Sequence, residues 1–374
     1  MKRRSRSVFV GQVGIGGSHP VSIQSMVNVP IEDVSGNVRQ ILGLCSVGCE
    51  IVRLAVPKPT DVIFLEKIKS KLRSQNVNIP LVADVHFSSR IARDCLGVAD
   101  KVRINAGNFA EKFDKSSHDM RSLALEKFSK FFEEAKSANI PVRIGINGGS
   151  LSERVLKKYG NTARSMWESA YECIVAASRV NFHDLVLSFK ASNVELMVEA
   201  YRLACREMDR FDLDCPLHLG VTEAGNGQYA RIKSAIGIGS LLLDGIGDTI
   251  RVSLSEDPME EIQAARDILQ AAGVRKFAAE FVACPSCGRT SYDMQHILEV
   301  AKEKIGKLEC ARTMKIAIMG CVVNGLGEAR DADYAIVGLP SGRVNVYKNN
   351  ACLVKDVEPE AAVTALEWVV RENS

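Results

Sequence analysis

The fold is indicated by the stretch at residues 50–86, EIVRLAVPKPTDVIFLEKIKSKLRSQNVNIPLVADVH. It begins with a short apolar run and continues through residues 61–73, where apolar positions recur at the three- and four-residue spacing of an amphipathic helix. It ends with a second apolar run at residues 80–86. Two such strands joined by one helix form a βαβ unit, in which the strands lie parallel in one sheet.

The same alternation extends on both sides of this unit. Helices are predicted at residues 126–138, 164–180, 193–208 and 258–271, in addition to 61–73. Strands are predicted at residues 21–26, 50–56, 80–86, 101–106, 141–147, 184–190, 216–222 and 248–254. Eight strands that alternate with helices predict an α/β fold of the (β/α)8 type, a TIM barrel, over residues 1–274.

A doubly wound sheet is the alternative to the barrel. Its glycine-rich dinucleotide loop follows the first strand, whereas the only early glycine cluster, at residues 14–17, precedes it. Residues 275–374 have a different pattern, which predicts a small α+β domain. Its predicted elements are strands at 277–282 and 315–319, helices at 292–305 and 358–371, and a hairpin over 334–354 with its turn at Ser341-Gly342.

Composition excludes several classes of protein. A net charge of +3 gives no sign of a nucleic-acid-binding surface. No apolar run is long enough to span a bilayer, and the basic start at residues 2–4 lacks the apolar stretch of a signal peptide. Eleven cysteines, an odd number, argue against a disulfide framework. We therefore expect a soluble, cytoplasmic protein without a membrane or nucleic-acid partner.

Charged side chains mark the carboxyl ends of the predicted barrel strands, where TIM barrels build their active sites. Cations that converge on one mouth repel each other unless they face an anion, and guanidinium groups match phosphate oxygens well. A small polyanion, first of all a diphosphate, is therefore the predicted ligand. The cations come from five different strands: Arg53, Arg103, Arg143, Lys190 and Arg251.

Other polar residues lie near the same strand ends. Asn105, Asn147 and Ser253 are predicted to assist in binding the ligand. Asp84, His86 and Glu223 are candidates for orienting it or delivering protons. Residues two apart on a strand share a face, which pairs Asp84 with His86. His218 is expected to be a buried core residue.

The C-terminal region carries a candidate metal site. Cys284 and Cys287 form a Cys-x-x-Cys turn, and Cys321 directly follows a predicted strand. These three thiolates suit a 4Fe–4S cluster, whose remaining iron takes a weaker ligand such as Glu328 in the glycine-rich segment after Cys321. A structural zinc site is the alternative and requires a fourth thiolate, from Cys310 or Cys352.

The sequence also resembles a known family, the bacterial 4-hydroxy-3-methylbut-2-enyl diphosphate synthases of the non-mevalonate isoprenoid pathway. The resemblance covers essentially the whole chain. The motifs that carry it are SIQSM at 22–26, VRINAG at 102–107, VRIGINGGSL at 142–151, LGVTEAG at 219–225, GIGDTIRVS at 245–253, CPSCGRT at 284–290 and NGLGE at 324–328. One departure is Leu326, where relatives often have proline; we expect altered stiffness of this loop and an intact ligand at Glu328.

The resemblance implies an activity. It is the two-electron reductive ring opening of 2-C-methyl-D-erythritol 2,4-cyclodiphosphate, with loss of water. Electrons come from flavodoxin or ferredoxin, and a 4Fe–4S cluster is held by Cys284, Cys287, Cys321 and Glu328. Glu223 becomes the first choice as acid, and Arg289 either touches substrate or balances the cluster charge.

The resemblance also implies a homodimer, in which the barrel of one subunit meets the cluster domain of the other.

The alternative function is a barrel that binds a phosphorylated or pterin-like ligand, joined to a domain with structural zinc.

Overall fold

The computed structural model describes residues 2–110 and 120–372. The chain forms two compact units, one up to Arg275 and the other from Lys276 onward. No disulfide joins any of the eleven cysteines, all of which lie in the described residues.

The first unit is a (β/α)8 barrel, which confirms the predicted fold class. A short antiparallel hairpin of β1 (Val8–Val10) and β2 (Val13–Ile15) precedes it. The parallel barrel strands are β3 (Ser22–Met26), β4 (Ile51–Ala55), β5 (Leu81–Val85), β6 (Lys101–Asn105), β7 (Val142–Asn147), β8 (Leu185–Lys190), β9 (His218–Leu219) and β10 (Thr249–Ile250). Strands β3 to β8 pair in chain order, β10 pairs with both β3 and β9, and a bridge between Leu187 and Leu217 closes the ring.

Helices surround the strands because their apolar faces pack on the outer face of the barrel. They are α1 (Val34–Ser46), α2 (Asp61–Arg73), α3 (Ser89–Asp94), α4 (Ala106–Ala110), α5 (Met120–Ser137), α6 (Glu153–Tyr159), α7 (Ala163–Arg179), α8 (Val194–Arg210), α9 (Gly227–Leu243) and α10 (Pro258–Ala271). Polar side chains cap several of them, as Asn193 does by accepting a hydrogen bond from the Leu196 amide at 2.8 Å.

The β1–β2 hairpin covers the amino-terminal end of the barrel. Val10 and Ile15 pack there with Ile51 and Val82, which lie at the beginnings of β4 and β5. The carboxyl ends of the strands therefore form the open end, where the predicted ligand residues lie.

The second unit has one five-stranded sheet, and helices pack on it. Its elements are β11 (Glu280–Ala283), α11 (Met294–Lys304), β12 (Lys315–Met319), α12 (Val322–Glu328), β13 (Tyr334–Gly338), β14 (Val344–Lys348), β15 (Ala351–Val357) and α13 (Pro359–Glu372). Strands β11, β12 and β13 are parallel, and β13, β14 and β15 are antiparallel neighbours. Helices α11 and α13 contribute buried residues such as Ile297 and Leu366 to the larger of its cores.

Two predictions for this unit were wrong in detail. The single hairpin over residues 334–354 is a meander of three strands, with a second turn at Asn349 and Asn350, both of which have positive φ. Asparagine tolerates that conformation, so two adjacent asparagines mark the turn. The glycine-rich segment before Glu328 is the helix α12, and not a loop; the side chain of Leu326 lies outside the described residues.

Among the helices that the structure describes, none is both long enough and apolar enough to cross a membrane.

Candidate functional site

The five predicted cations meet at the open end of the barrel. They line one cavity of about 80 Å³, although they come from β4, β6, β7, β8 and the segment after β10. The register of neighbouring strands brings these side chains to one level of the barrel. Arg103 on β6 pairs with Arg143 on β7, and Lys190 on β8 pairs with Asn147 on β7. The full lining is Arg53, Asp84, His86, Arg103, Arg143, Asn147, Lys190, Thr222, Arg251 and Ser253.

Asp84 anchors two of these arginines. Its Oδ1 accepts a hydrogen bond from Arg103 Nη1 at 2.8 Å, and its Oδ2 lies 3.4 Å from Arg53 Nε. Burial alone would raise the pKa of this carboxyl, but Arg53 and Arg103 outweigh it and hold the pKa well below its ordinary value. Asp84 therefore stays ionised at neutral pH and orients guanidinium groups, which makes it a poor proton donor.

Glu261 anchors a third arginine and was not identified from the sequence as part of the site. It lies in the first turn of α10, where a carboxylate also suits the positive end of the helix dipole. The structure shows two hydrogen bonds to it, from Arg251 Nε at 3.1 Å and Nη2 at 3.0 Å. Ser25 Oγ donates a further bond to it at 2.8 Å, and only 2% of Glu261 is exposed.

Glycines in the barrel strands make room for the cations. A Cβ on Gly145 would lie 2.2 Å from Arg103 Nε, and one on Gly220 would lie 2.6 Å from Lys190 Nζ. Both positions point into the barrel beside a cationic side chain, so any larger residue would displace that cation. Arg143, 1% exposed, donates one hydrogen bond to Ser188 Oγ at 3.0 Å.

Of the remaining predicted site residues, some line the cavity and others do not. His86, Asn147 and Ser253 line the cavity, and His86 contacts the Arg103 guanidinium. Burial and the Arg103 charge lower the pKa of His86. Asn105 and Glu223 are not among the lining residues.

Asn105 and Glu223 have different surroundings: Asn105 is buried and hydrogen-bonded, and Glu223 is exposed. The buried Asn105 donates a hydrogen bond to Ser150 Oγ at 2.8 Å and accepts one from the Asn108 amide, so it holds the loops after β6 and β7. Glu223 is exposed in the loop after β9, with a φ of 54° that non-glycine residues rarely adopt. Thr222, its neighbour, lines the cavity and was not predicted from the sequence as a site residue. His218 is buried inside the barrel, as expected.

The predicted metal ligands line a cavity of about 380 Å³ in the second unit. Cys284 follows β11 and Cys321 follows β12, and these strands are adjacent and parallel, so their carboxyl ends bring the two thiols to one edge of the sheet. Cys287 lies in the turn after Cys284. Glu328, the last residue of α12, Arg289 and Ser286 complete the polar lining.

Two of the nearby glycines serve internal packing. A Cβ on Gly320 would lie 2.5 Å from Thr290 Oγ1, and one on Gly325 would lie 2.7 Å from the Val337 side chain. Gly325 therefore lets α12 lie close against β13, which places Glu328 at the cavity.

The cavity is large enough for a group bigger than one metal ion. Among the described residues, no three His, Cys, Asp or Glu side chains converge closely enough to hold one metal ion. A cavity of about 380 Å³ exceeds many times the roughly 30 Å³ share of one water in the liquid. Cys310 and Cys352, the additional zinc ligands considered above, are not among its lining residues. Three thiols and one carboxylate are a donor set suited to a 4Fe–4S cluster.

Family models match both units. The model described as the GcpE TIM-barrel domain matches residues 5–266, and that of the GcpE protein C-terminal domain matches residues 280–372. The chain belongs to the GcpE family. The family resemblance predicted from the motifs is thereby confirmed.

Curated relatives in the GcpE family match the chain over its whole length. The chain is 44% identical to the 4-hydroxy-3-methylbut-2-en-1-yl diphosphate synthase (ferredoxin) of Synechococcus sp. (strain CC9311), over 100% of this chain and 95% of the relative. It is 45% identical to the protein of that name from Trichormus variabilis, over 100% and 93%.

Solved structures give a weaker match. The dihydropteroate synthase from Stenotrophomonas maltophilia, solved with imidazole in its active site, has a TM-score of 0.48 and 13% identity, over 72% of this chain and 98% of that one. So distant a similarity has no bearing on the activity.

Proposed function

We propose that the protein is a 4-hydroxy-3-methylbut-2-enyl diphosphate synthase. It opens the ring of 2-C-methyl-D-erythritol 2,4-cyclodiphosphate with two electrons and two protons, and releases one water. The observation that carries this proposal is the full-length match to synthases of that name, in a chain that has both a cationic barrel mouth and a cavity lined by three cysteines and Glu328. The pterin- or phosphate-binding barrel with structural zinc is the weaker alternative.

The barrel is proposed to bind the cyclic diphosphate. Arg53, Arg103, Arg143, Lys190 and Arg251 would hold its phosphate oxygens, with Asn147 and Ser253 assisting. Asp84 and Glu261 would fix three of the arginines before the ligand arrives, which lowers the ordering cost of binding. Asn105 would act indirectly, through the loops that it holds.

Protons for the reaction need donors other than Asp84. His86 lines the cavity and remains a candidate. Glu223 remains the first choice as acid, and its exposed position after β9 would require the loop to bring it to the ligand.

The cysteine cavity is proposed to hold a 4Fe–4S cluster through Cys284, Cys287, Cys321 and Glu328. When bound, the cluster would supply the two electrons, received from ferredoxin or flavodoxin. Arg289 lines the same cavity, where its cation would balance the charge of the cluster or meet substrate.

Metal analysis tests this assignment. Protein purified without oxygen should be coloured and contain iron and sulfide, with zinc only in traces. Colourless protein that contains zinc and no iron would refute the proposed cluster and with it the proposed function.

Changing Glu328 to alanine is expected to abolish most turnover while leaving a cluster in place. Three thiolates would still hold the cluster, but the iron that Glu328 is proposed to bind would lose its exchangeable ligand. Iron content and turnover should be measured on the same sample. Glu299→Ala, at an exposed position on α11, is the control and should keep both. Unchanged turnover in Glu328→Ala would remove Glu328 from the mechanism.

We further propose that the working enzyme is a cytoplasmic homodimer, in which a barrel faces the cysteine cavity of its partner. An apolar stripe on α9 supports a subunit interface. It consists of Tyr229, Ile232, Ile236 and Leu243, which lie on one helical face and are all exposed. Leaving such an apolar stripe exposed to water costs free energy, so we propose that a second copy of this chain covers it.

Ile236→Asp is expected to convert the dimer to a monomer, because it places a charge in the middle of this stripe. Sedimentation velocity measures the change. Ile63→Asp on α2 is a matched control, since Ile63 is 55% exposed and Ile236 is 59% exposed. The α9 interface is refuted if Ile236→Asp remains dimeric at the concentration where the wild type is dimeric.

A further inference from the structure

We propose that the barrel takes up a proton when it binds the cyclic diphosphate, and that Lys190 receives it. This inference rests on the proposed function for the identity of the ligand. It adds a linkage between pH and substrate affinity, assigned to one side chain.

The barrel interior holds more cations than anions. Among the described residues, the cations that line the cavity outnumber the two carboxylates that pair with them, Asp84 and Glu261. The charged and titratable groups that line the same cavity as Lys190 are Arg53 on β4, Asp84 and His86 at β5, Arg103 on β6, Arg143 on β7 and Arg251 after β10. His218 on β9 interacts with Lys190, and Lys101 on β6 and Glu261 on α10 are buried in the same unit.

Both carboxylates are already engaged. Asp84 is held by Arg53 and Arg103, and Glu261 by Arg251 and Ser25. Neither forms an ion pair with Lys190 among the described residues. Lys190 is therefore a buried amine, 6% exposed, that is surrounded mainly by like charges.

Lysine can relieve this repulsion between like charges by losing its proton, whereas arginine cannot. Guanidinium groups keep their proton in proteins, whereas a buried ammonium readily loses its own. Burial lowers the pKa of Lys190 well below its ordinary value, and Arg143 and Arg53 lower it further. Lys101 is also buried, but it does not line the cavity, so Lys190 is the lysine placed to touch the ligand.

The ligand itself does not titrate near neutral pH. Each phosphorus of the cyclic diphosphate is esterified and carries a single, strongly acidic oxygen, so the ligand is a dianion throughout. Its arrival beside Lys190 stabilises the ammonium and draws a proton from solvent. Any proton taken up must therefore bind to the protein.

The sign of the pH dependence follows from this linkage. Below the pKa of Lys190 in the free protein, the amine is already charged and affinity does not change with pH. Above that pKa, binding requires a proton, so affinity falls by about tenfold for each unit of pH. The fall ends at the higher pKa that Lys190 has in the complex.

Calorimetry on the anaerobic holoenzyme tests the proposal, with the cyclic diphosphate as ligand and no electron donor. The binding enthalpy is measured in buffers of different ionisation enthalpy, between about pH 6 and pH 10, a range that starts below the ordinary pKa of histidine and ends just below that of lysine. We expect net uptake that approaches one proton per site. Lys190→Arg should remove the uptake and flatten the pH dependence, because its charge is permanent. Lys190→Met should remove the uptake and also weaken binding.

Two further results decide the assignment. His86→Asn should still take up the proton, whereas loss of uptake in this variant would assign it to the imidazole and overturn the role of Lys190. Uptake that persists in both Lys190 variants would overturn it as well. Binding without proton uptake in the wild type refutes this inference alone, whereas a complete lack of binding refutes the proposed function and this inference with it.

Discussion

Replacing Cys321 by serine is expected to eliminate the iron–sulfur cluster and turnover together. Cys321 lies between β12 and α12, and with Cys284 and Cys287 it supplies the thiols that line the cavity. A serine hydroxyl ionises far less readily than a thiol and is a poor ligand for iron. Iron and sulfide content, the visible spectrum and turnover should all fall to background in the variant.

Cys310→Ser is the matched control for this variant. Cys310 is half-buried and packs against the larger core of the same unit, so its replacement should cost about 1 kcal/mol of stability. It does not line the cavity, and the cluster should therefore remain. Loss of metal from Cys310→Ser and retention in Cys321→Ser would contradict the assigned ligands and favour a different metal site.

Replacing Arg251 by methionine is expected to reduce kcat/KM by roughly 30- to 1000-fold, which corresponds to about 2–4 kcal/mol for one member of a buried charge pair. Arg251 lines the cavity, and Glu261 holds it through Nε and Nη2. The variant loses a phosphate contact and leaves the Glu261 carboxylate buried without its cation. Kinetics and thermal unfolding should both be measured.

The double variant separates catalysis from folding. Arg251→Met with Glu261→Gln removes both charges, so it should regain much of the lost Tm, because no unpaired charge remains buried. It should not regain activity, since the phosphate contact is still missing. Glu261→Gln alone should lower activity less than Arg251→Met does, because it disturbs only the position of Arg251.

Non-additivity tests the role of Glu261 further. If Glu261 acts only through Arg251, its substitution should have no additional effect on kcat/KM once Arg251 is gone. Arg231→Met is the control, because Arg231 forms ion pairs with Glu256 and Glu260 at the surface of the same unit. Fully additive losses would contradict a positioning role for Glu261.

The sequence predicts the barrel well because its signals are local. Each strand is a short apolar run, and the cation on it occupies a fixed place near the carboxyl end. The parallel register then brings Arg53, Arg103 and Arg143 to one mouth without further information. The three cysteines are predictable for the same reason, since two follow strands directly.

Pairings between distant elements are not visible in the sequence. Glu261 resembles an ordinary first-turn carboxylate, and only the packing of α10 against the barrel brings it to Arg251. Glu223 follows a predicted strand, but it has a positive φ there, is exposed and does not line the cavity.

The glycines before Glu328 led to a wrong prediction of local structure. The segment 324–328 was predicted as a loop, yet Gly325 is required for close packing of a helix against Val337. Glycine serves both close packing and loop formation, and only the neighbouring side chains decide between them.

The most direct test of the proposed function is turnover observed by phosphorus NMR. Anaerobically prepared enzyme, with reduced ferredoxin, should convert the two signals of 2-C-methyl-D-erythritol 2,4-cyclodiphosphate into those of a linear diphosphate, with two electrons consumed for each product. Iron-replete enzyme that leaves the cyclic diphosphate unchanged, while ferredoxin stays reduced, would contradict the proposed function.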